Sequence, residues 1–177
     1  HKNDDDGKKG GEDAAAEIAE RKAVFQKRYA MLLRMYDHYC LISGLNGKAA
    51  FSMTENFFQM MLKDANICDE RCSASDCSKI FIVVNFETDK KSAEAEVNED
   101  KALMRFELLE CFVRIAVEKY QHEISDVSEC IDKLFVDCLE PGLPKEARLD
   151  PDHFRRDRLY REDVDNVLKA HAKPLRM

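Results

Sequence analysis

Glycine and proline are scarce in this sequence, with 6 and 4 among 177 residues, and tryptophan is absent. Gly7, Gly10 and Gly11 supply half of the glycines, and from Glu12 to Glu140 there are only Gly44 and Gly47 and no proline. Sandwiches and barrels need turn residues about every dozen positions, so this scarcity argues for an all-helical chain. Long apolar runs are missing too. The longest strongly apolar stretch, Ile80 to Val84, is far short of the roughly 20 residues of a membrane span, and the N-terminus lacks the apolar core of a signal peptide.

Equally absent are the local signatures of nucleotide, zinc-protease and serine-hydrolase chemistry: no G-x-x-x-x-G-K-S/T, G-x-G-x-x-G, H-E-x-x-H or G-x-S-x-G occurs. The five histidines are scattered, and His38, between Tyr36 and Tyr39 on a helical stretch, reads as packed or solvated. No catalytic residue, cofactor site or enzyme activity is expected. Positive charge is in deficit, with 28 basic against 35 acidic residues and a net charge of −7, so neither nucleic acid nor anionic lipid is an expected partner. Seven cysteines without secretory features suit a reducing compartment, and the reading is a soluble, cytoplasmic chain. Cys68, Cys72 and Cys77 cluster, but without paired C-x-x-C knuckles, so no metal site is expected there. A start at His1 rather than Met reads as a piece of a longer protein.

What is present is helical periodicity. Residues 1–12 combine an acidic run with lysines and three glycines and read as a tail or linker. From about Asp13, Ile18, Phe25, Tyr29, Leu32, Leu33, Tyr36 and Cys40 recur at three- and four-residue intervals, predicting one long helix that ends near Gly44. Ser52 or Thr54 caps a short apolar helix to about Ala65, and Ser73 or Ser75 caps another through Ile80 to Val84. Asn85 to Asp100 is polar and reads as a loop. Between Leu103 and Gln121 the residues Glu107, Glu110, Arg114, Glu118 and Gln121 form a narrow polar stripe and most other positions are apolar, which predicts a central, mostly covered helix with Glu110 and Arg114 paired on its wet face. Ser125 caps a helix that Pro141-Gly142 stops, and a last helix over Asp163 to Ala170 turns Val164, Val167 and Leu168 inward. Residues 13–140 thus form the domain, and 141–177 a proline-containing loop with a C-terminal helix. The echo between Ala30-Met35 and Ala172-Met177, four matches in six positions, allows the start of a second repeat.

Aromatic and basic residues interleave in Phe25-Tyr29 and His153-Arg161, a pattern of single-strand binders, though an acidic chain favours solvated helix faces or contact with an acidic protein surface such as a cytoskeletal polymer. A resemblance narrows the choice. Phe57 to Ile67, then Cys72 to Asp76 with Ile80-Phe81, then Met104 to Leu109 resemble a divergent EF-hand pair, and over roughly residues 50–122 the chain is similar to the degenerate EF-hand-like core of the tubulin-polymerization-promoting protein family. A long insertion from Phe86 to Asp100 departs from that pattern.

The resemblance implies an all-α, EF-hand-like paired helix-loop-helix core with a long N-terminal helix and extra C-terminal helices. It implies a non-catalytic interaction or scaffold module, cytoskeletal or ciliary and flagellar, holding a cytoskeletal component or an amphipathic helix. Its alternative is a calcium sensor. A calcium loop needs oxygen ligands at positions 1, 3 and 5, Gly at 6 and Glu at 12. With Leu103 eighth, the second loop offers Glu96, Asn98, Asp100 and Glu107, but Lys101 at the glycine position. With Met104 eighth, Val97 and Leu108 fall on ligand positions and the site disappears. A first loop beginning at Ala65, with Ile67 third, should not bind.

Overall fold

The computed structural model describes residues 5–44, 52–86, 102–148, 150, 152 and 155–172. The chain is all-α. Its elements are α1 (Asp5–Lys27), α2 (Tyr29–Gly44), β1 (Met53–Thr54), α3 (Glu55–Asp64), α4 (Ala74–Val84), β2 (Ala102–Leu103), α5 (Arg105–Tyr120), α6 (Val127–Leu134), a π-helical stretch Phe135–Leu139, α7 (Glu140–Gly142), α8 (Lys145–Arg148), a second π-helical stretch Arg155–Leu159, and α9 (Glu162–Ala170).

The expected single N-terminal helix is two. Helix begins at Asp5, inside the stretch read as a tail, and its ladder is interrupted at Arg28, whose N–H turns back to the Phe25 carbonyl at 3.1 Å. The interruption lets α1 pack on α6 while α2 packs on α3, β1 and α8. Arg28 is buried there: its Nε donates to Glu140 Oε1 at 2.7 Å and its Nη1 lies 2.7 Å from Asp132 Oδ1. Nothing in the spacing of apolar residues announces a charge at the bend.

α3 has as its N-cap Thr54, whose side chain makes no capping bond, and the buried Ser52 Oγ has no hydrogen-bond partner, so neither expected cap is formed. It ends in a Schellman turn. Asn66, at φ 50°, occupies the left-handed position usually given to glycine, and Ile67 N–H donates to the Leu62 carbonyl at 2.9 Å while Asn66 N–H donates to Lys63. Of the two expected caps for α4, Ser73 rather than Ser75 is the N-cap, and it forms a capping box: Ser73 Oγ accepts from Asp76 N–H, and Asp76 accepts in return from Ser73 N–H. With both ends defined, the β-branched run Ile80 to Val84 is helix rather than strand. α6 is capped by Asp126, not Ser125, because the Asp126 carboxylate reaches the N–H groups of Ser128 and Glu129.

β1 and β2 form a short antiparallel pair, Met53 opposite Leu103 and Thr54 opposite Ala102. It joins the residues just before α3 to those just before α5, and does not involve the stretch between α3 and α4 where the first loop was expected. That stretch is already committed to the Schellman turn and the α4 cap. α5 lies across the core, packed by α4 and α6, with Leu108, Cys111, Phe112, Ile115 and Ala116 buried. Two positions depart from its expected pattern, Phe106 being exposed and Glu107 buried, and Lys119 is buried as well.

α6 widens into π-helical geometry just before Pro141, whose ring would otherwise meet the carbonyl four residues back. Gly142 then passes so close to α3 that a Cβ would lie 2.7 Å from Ala65 Cα and 2.8 Å from its carbonyl carbon. Backbone cannot step aside as a flexible side chain can. Gly142→Ala is expected to cost about 1–3 kcal/mol, the range for overpacking, read as a lower urea midpoint with unchanged slope. An unchanged midpoint would mean that the two segments are not in contact.

α9 corrects another expectation. Val167 is 60% and Leu168 45% exposed, and Val164 is only half-buried. The helix has the expected amphipathic spacing but no described element over its apolar side, its neighbour being the π-helical stretch before it. The echo of Ala30-Met35 ends in residues 173–177, outside the described residues, as do His153 and Phe154.

Candidate functional site

α2 and α5 approach each other at the end where β2 leads into α5, and they leave a cavity of about 210 Å³ between them. Tyr29, Leu32, Leu33 and Tyr36 line it from α2, and Arg105, Phe106, Leu108 and Leu109 from α5. The helical repeat sets this lining, since positions three and four apart share a face on each helix. Leu32, Tyr36 and Leu108 form the buried floor, while Phe106 at 66% and Tyr29 at 59% exposure stand at its margin. The Tyr36 hydroxyl donates to the Leu103 carbonyl at 2.9 Å, tying the groove to β2, and burial pushes this phenol well above its ordinary value, so it remains a donor. Arg105 lies over the Tyr36 ring, 5.5 Å from its centroid, and pairs with Asp37 at 3.1 Å. The result is an apolar slot with one cation at its edge.

Of the calcium ligand set, Glu96, Asn98 and Asp100 lie outside the described residues. Glu107 is in the first turn of α5, buried, with Oε2 accepting from Met104 N–H at 2.6 Å. Among the described residues no group of three or more His, Cys, Asp or Glu side chains is arranged to hold a metal ion. His38 packs edge-on to Tyr39, ring centroids 5.0 Å apart.

Basic residues of the interleaved segments are paired with carboxylates of the chain. Arg28 is committed to Asp132 and Glu140, Arg155 to Asp152, Arg156 to Asp150, and Arg161 to Asp163. Their charge is therefore largely neutralised within the chain. Among the described residues no helix is long and apolar enough to cross a membrane.

A second polar knot lies behind α3. Lys119 of α5, buried, donates to the Ile67 carbonyl at 3.0 Å and to the Asp69 carboxylate. Asp69 also accepts from the N–H groups of Arg71 and Cys72 at 2.9 and 3.0 Å. Partial burial opposes its ionisation, yet Lys119 and the two N–H donors prevail and hold it below the ordinary carboxylate value. Asp76 is held down to about 2 by the Ser73 hydroxyl, Lys79 and the Ser73 N–H. Sequence periodicity missed Lys119 because its partners are a carbonyl and a carboxylate 52 and 50 residues away.

These two carboxylates set the sign of the acid response. Both bind protons more weakly folded than unfolded, so their contribution is present above the ordinary carboxylate pKa and is lost as pH falls through the folded values. Melting temperature is expected to drop progressively between about pH 4 and pH 2, and Asp76→Asn should flatten that slope. An equally steep slope in the variant would assign the acid response to other groups.

Comparison with protein-family models, with curated proteins and with solved structures finds no match to this chain.

Proposed function

We propose that this chain is a non-catalytic interaction module with a degenerate EF-hand-like core, in which the slot between α2 and α5 receives the apolar face of an amphipathic partner helix. The observation that carries the reading is the pair of large aromatics, Tyr29 and Phe106, left exposed on either side of a slot whose floor is already formed. Such a surface suits helix-in-groove recognition, where apolar residues three and four positions apart anchor in a preformed channel. The antiparallel pair between Met53 and Leu103, each just before a helix, supports the EF-hand-like part. The resemblance adds a cytoskeletal, ciliary or flagellar partner, and the missing catalytic motifs add the absence of enzyme activity.

Phe106→Asp and Tyr29→Asp change exposed residues, so folding should be spared while a partner bound through the slot is lost. Capture from a native extract with the full chain and the double variant in parallel should yield cytoskeletal proteins with the first only. Calorimetry with the captured partner's amphipathic helix should then read about a 30-fold loss for Phe106→Asp, the size of a hot-spot truncation. Equal binding by the variant overturns the slot, and capture without cytoskeletal components overturns that assignment of the partner.

Calcium sensing is favoured by one observation: pairing of Leu103 with Met53 is the register that puts Glu107 twelfth. A micromolar calcium isotherm lost in Glu107→Gln would replace the first reading with this one.

A further inference from the structure

The other concentration of chemistry in the fold is sulfur. The Schellman turn after α3 and the capping box of α4 enclose a short stretch carrying Cys68 and Cys72, and Cys77 follows on α4. Cys72 immediately precedes the N-cap Ser73, and Cys77 is the fourth helical residue. Those are the two positions that a hydrophobic staple fills with apolar side chains in contact. Here both are thiols. Cys72 Sγ and Cys77 Sγ are 3.5 Å apart, both buried and both reduced. An S–S bond is about 2.05 Å long, so bonding needs only a small mutual approach of two side chains that the capping box already holds face to face.

We propose that Cys72 and Cys77 form a redox-active dithiol that a low-molecular-weight disulfide converts to an intramolecular disulfide. The Cys72 thiolate attacks one sulfur of oxidised glutathione, forming a mixed disulfide and expelling one glutathione thiolate. Cys77 loses its proton to solvent and attacks Cys72 Sγ, forming the Cys72–Cys77 bond and expelling the second glutathione thiolate. Two protein thiols are oxidised, one glutathione disulfide is reduced to two thiols, and the helix cap keeps its geometry.

Several features set this pair apart. The hydrogen bond from Cys77 lowers the Cys72 thiol from its ordinary value, against the opposing effect of burial, while Cys77 is pushed up as the donor. Burial pushes the Cys40 and Cys111 thiols up, to about 11 and about 12, which leaves them poor nucleophiles. Cys138 meets the Tyr120 hydroxyl, and Cys130 donates to the Ile124 carbonyl. Cys68 is half-buried, and the same burial raises its thiol. Cys72 itself is buried, but the preceding Glu70 and Arg71 are exposed, on a turn fastened by Asp69 and Lys119.

The test uses the full chain in glutathione buffers of graded oxidation, quenched with acid, alkylated and digested with trypsin. Cleavage after Arg71 and Lys79 places both cysteines in one peptide, Cys72 to Lys79. The expected product is that peptide two hydrogen masses lighter, with the other five cysteines alkylated. Cys68→Ser should behave the same, and Cys77→Ser should stop at glutathione bound to Cys72. Lys119→Met, which frees the turn, should speed oxidation roughly threefold or more if local opening gives access. A Cys68–Cys77 bond, a stable glutathione adduct on the unsubstituted chain, or full alkylation of Cys72 and Cys77 at the most oxidising ratio in both the unsubstituted and Lys119→Met chains would each overturn the proposal.

Discussion

Phe135→Ala is expected to cost about 4 kcal/mol, the middle of the range for emptying a buried aromatic site, and to lower the melting temperature by roughly 8–16 °C for a chain of this size. Phe135 is fully buried at the start of the π-helical stretch that follows α6. Its ring meets Phe25 of α1 edge-on at 6.0 Å and Phe112 of α5 at 6.2 Å, and the Arg28 guanidinium sits 4.8 Å above it. Three separate stretches of chain converge on one ring, so the surroundings cannot collapse by moving a single side chain. Val136 is half-exposed next door, and Val136→Ala should stay within about 0.5 kcal/mol of the parent. Urea unfolding of the pair is the measurement, and similar losses for both would remove Phe135 from the centre of the core.

Arg28→Ala ranks second, at about 3 kcal/mol, the lower end for breaking a buried ion pair by removing one partner. The lower end applies because Asp132 and Glu140 are themselves half-exposed and can be rehydrated. What cannot be replaced is the tie between the α1–α2 bend and the end of α6. Arg28→Met keeps the apolar stem over Phe135 and should recover about a third of the loss through packing. A double-mutant cycle between Arg28 and Phe135 should give a coupling of about 1 kcal/mol, the scale of a partly desolvated cation–π contact. Additive losses would mean that the guanidinium and the ring act separately.

Apolar spacing and caps made the helices legible: α4 with a serine cap, the buried body of α5, and the stop at Pro141-Gly142 were all readable from residue order. The bend at Arg28 was not, because apolar period continues through it and the carboxylates that hold Arg28 lie more than a hundred residues away. Phe106 and Glu107 were assigned to the wrong environments for a related reason. A helical wheel gives the faces of α5 but not which neighbour covers each, and the β1–β2 pair turns Glu107 inward to cap its own helix while leaving Phe106 beside a slot. The α9 residues show the converse. Val164, Val167 and Leu168 carry an amphipathic pattern, yet pattern alone supplies no surface to receive it.

The hydrogen bonds from Arg28 to Glu140 and from Arg34 to the Arg148 carbonyl span 112 and 114 residues. By contrast, α5 with α6 and α3 with α4 are neighbours along the chain and close only short loops. Loop closure costs more with length, so the neighbouring pairs should form first, and the packing of α1 on α6 and of α2 on α8 should follow. During synthesis α2 would find β1 and α3 soon after it emerges, but its α8-facing side would stay uncovered until α8 has left the ribosome. A chaperone that binds apolar helices would therefore meet this chain at α2, and release it only when α8 has folded against that helix.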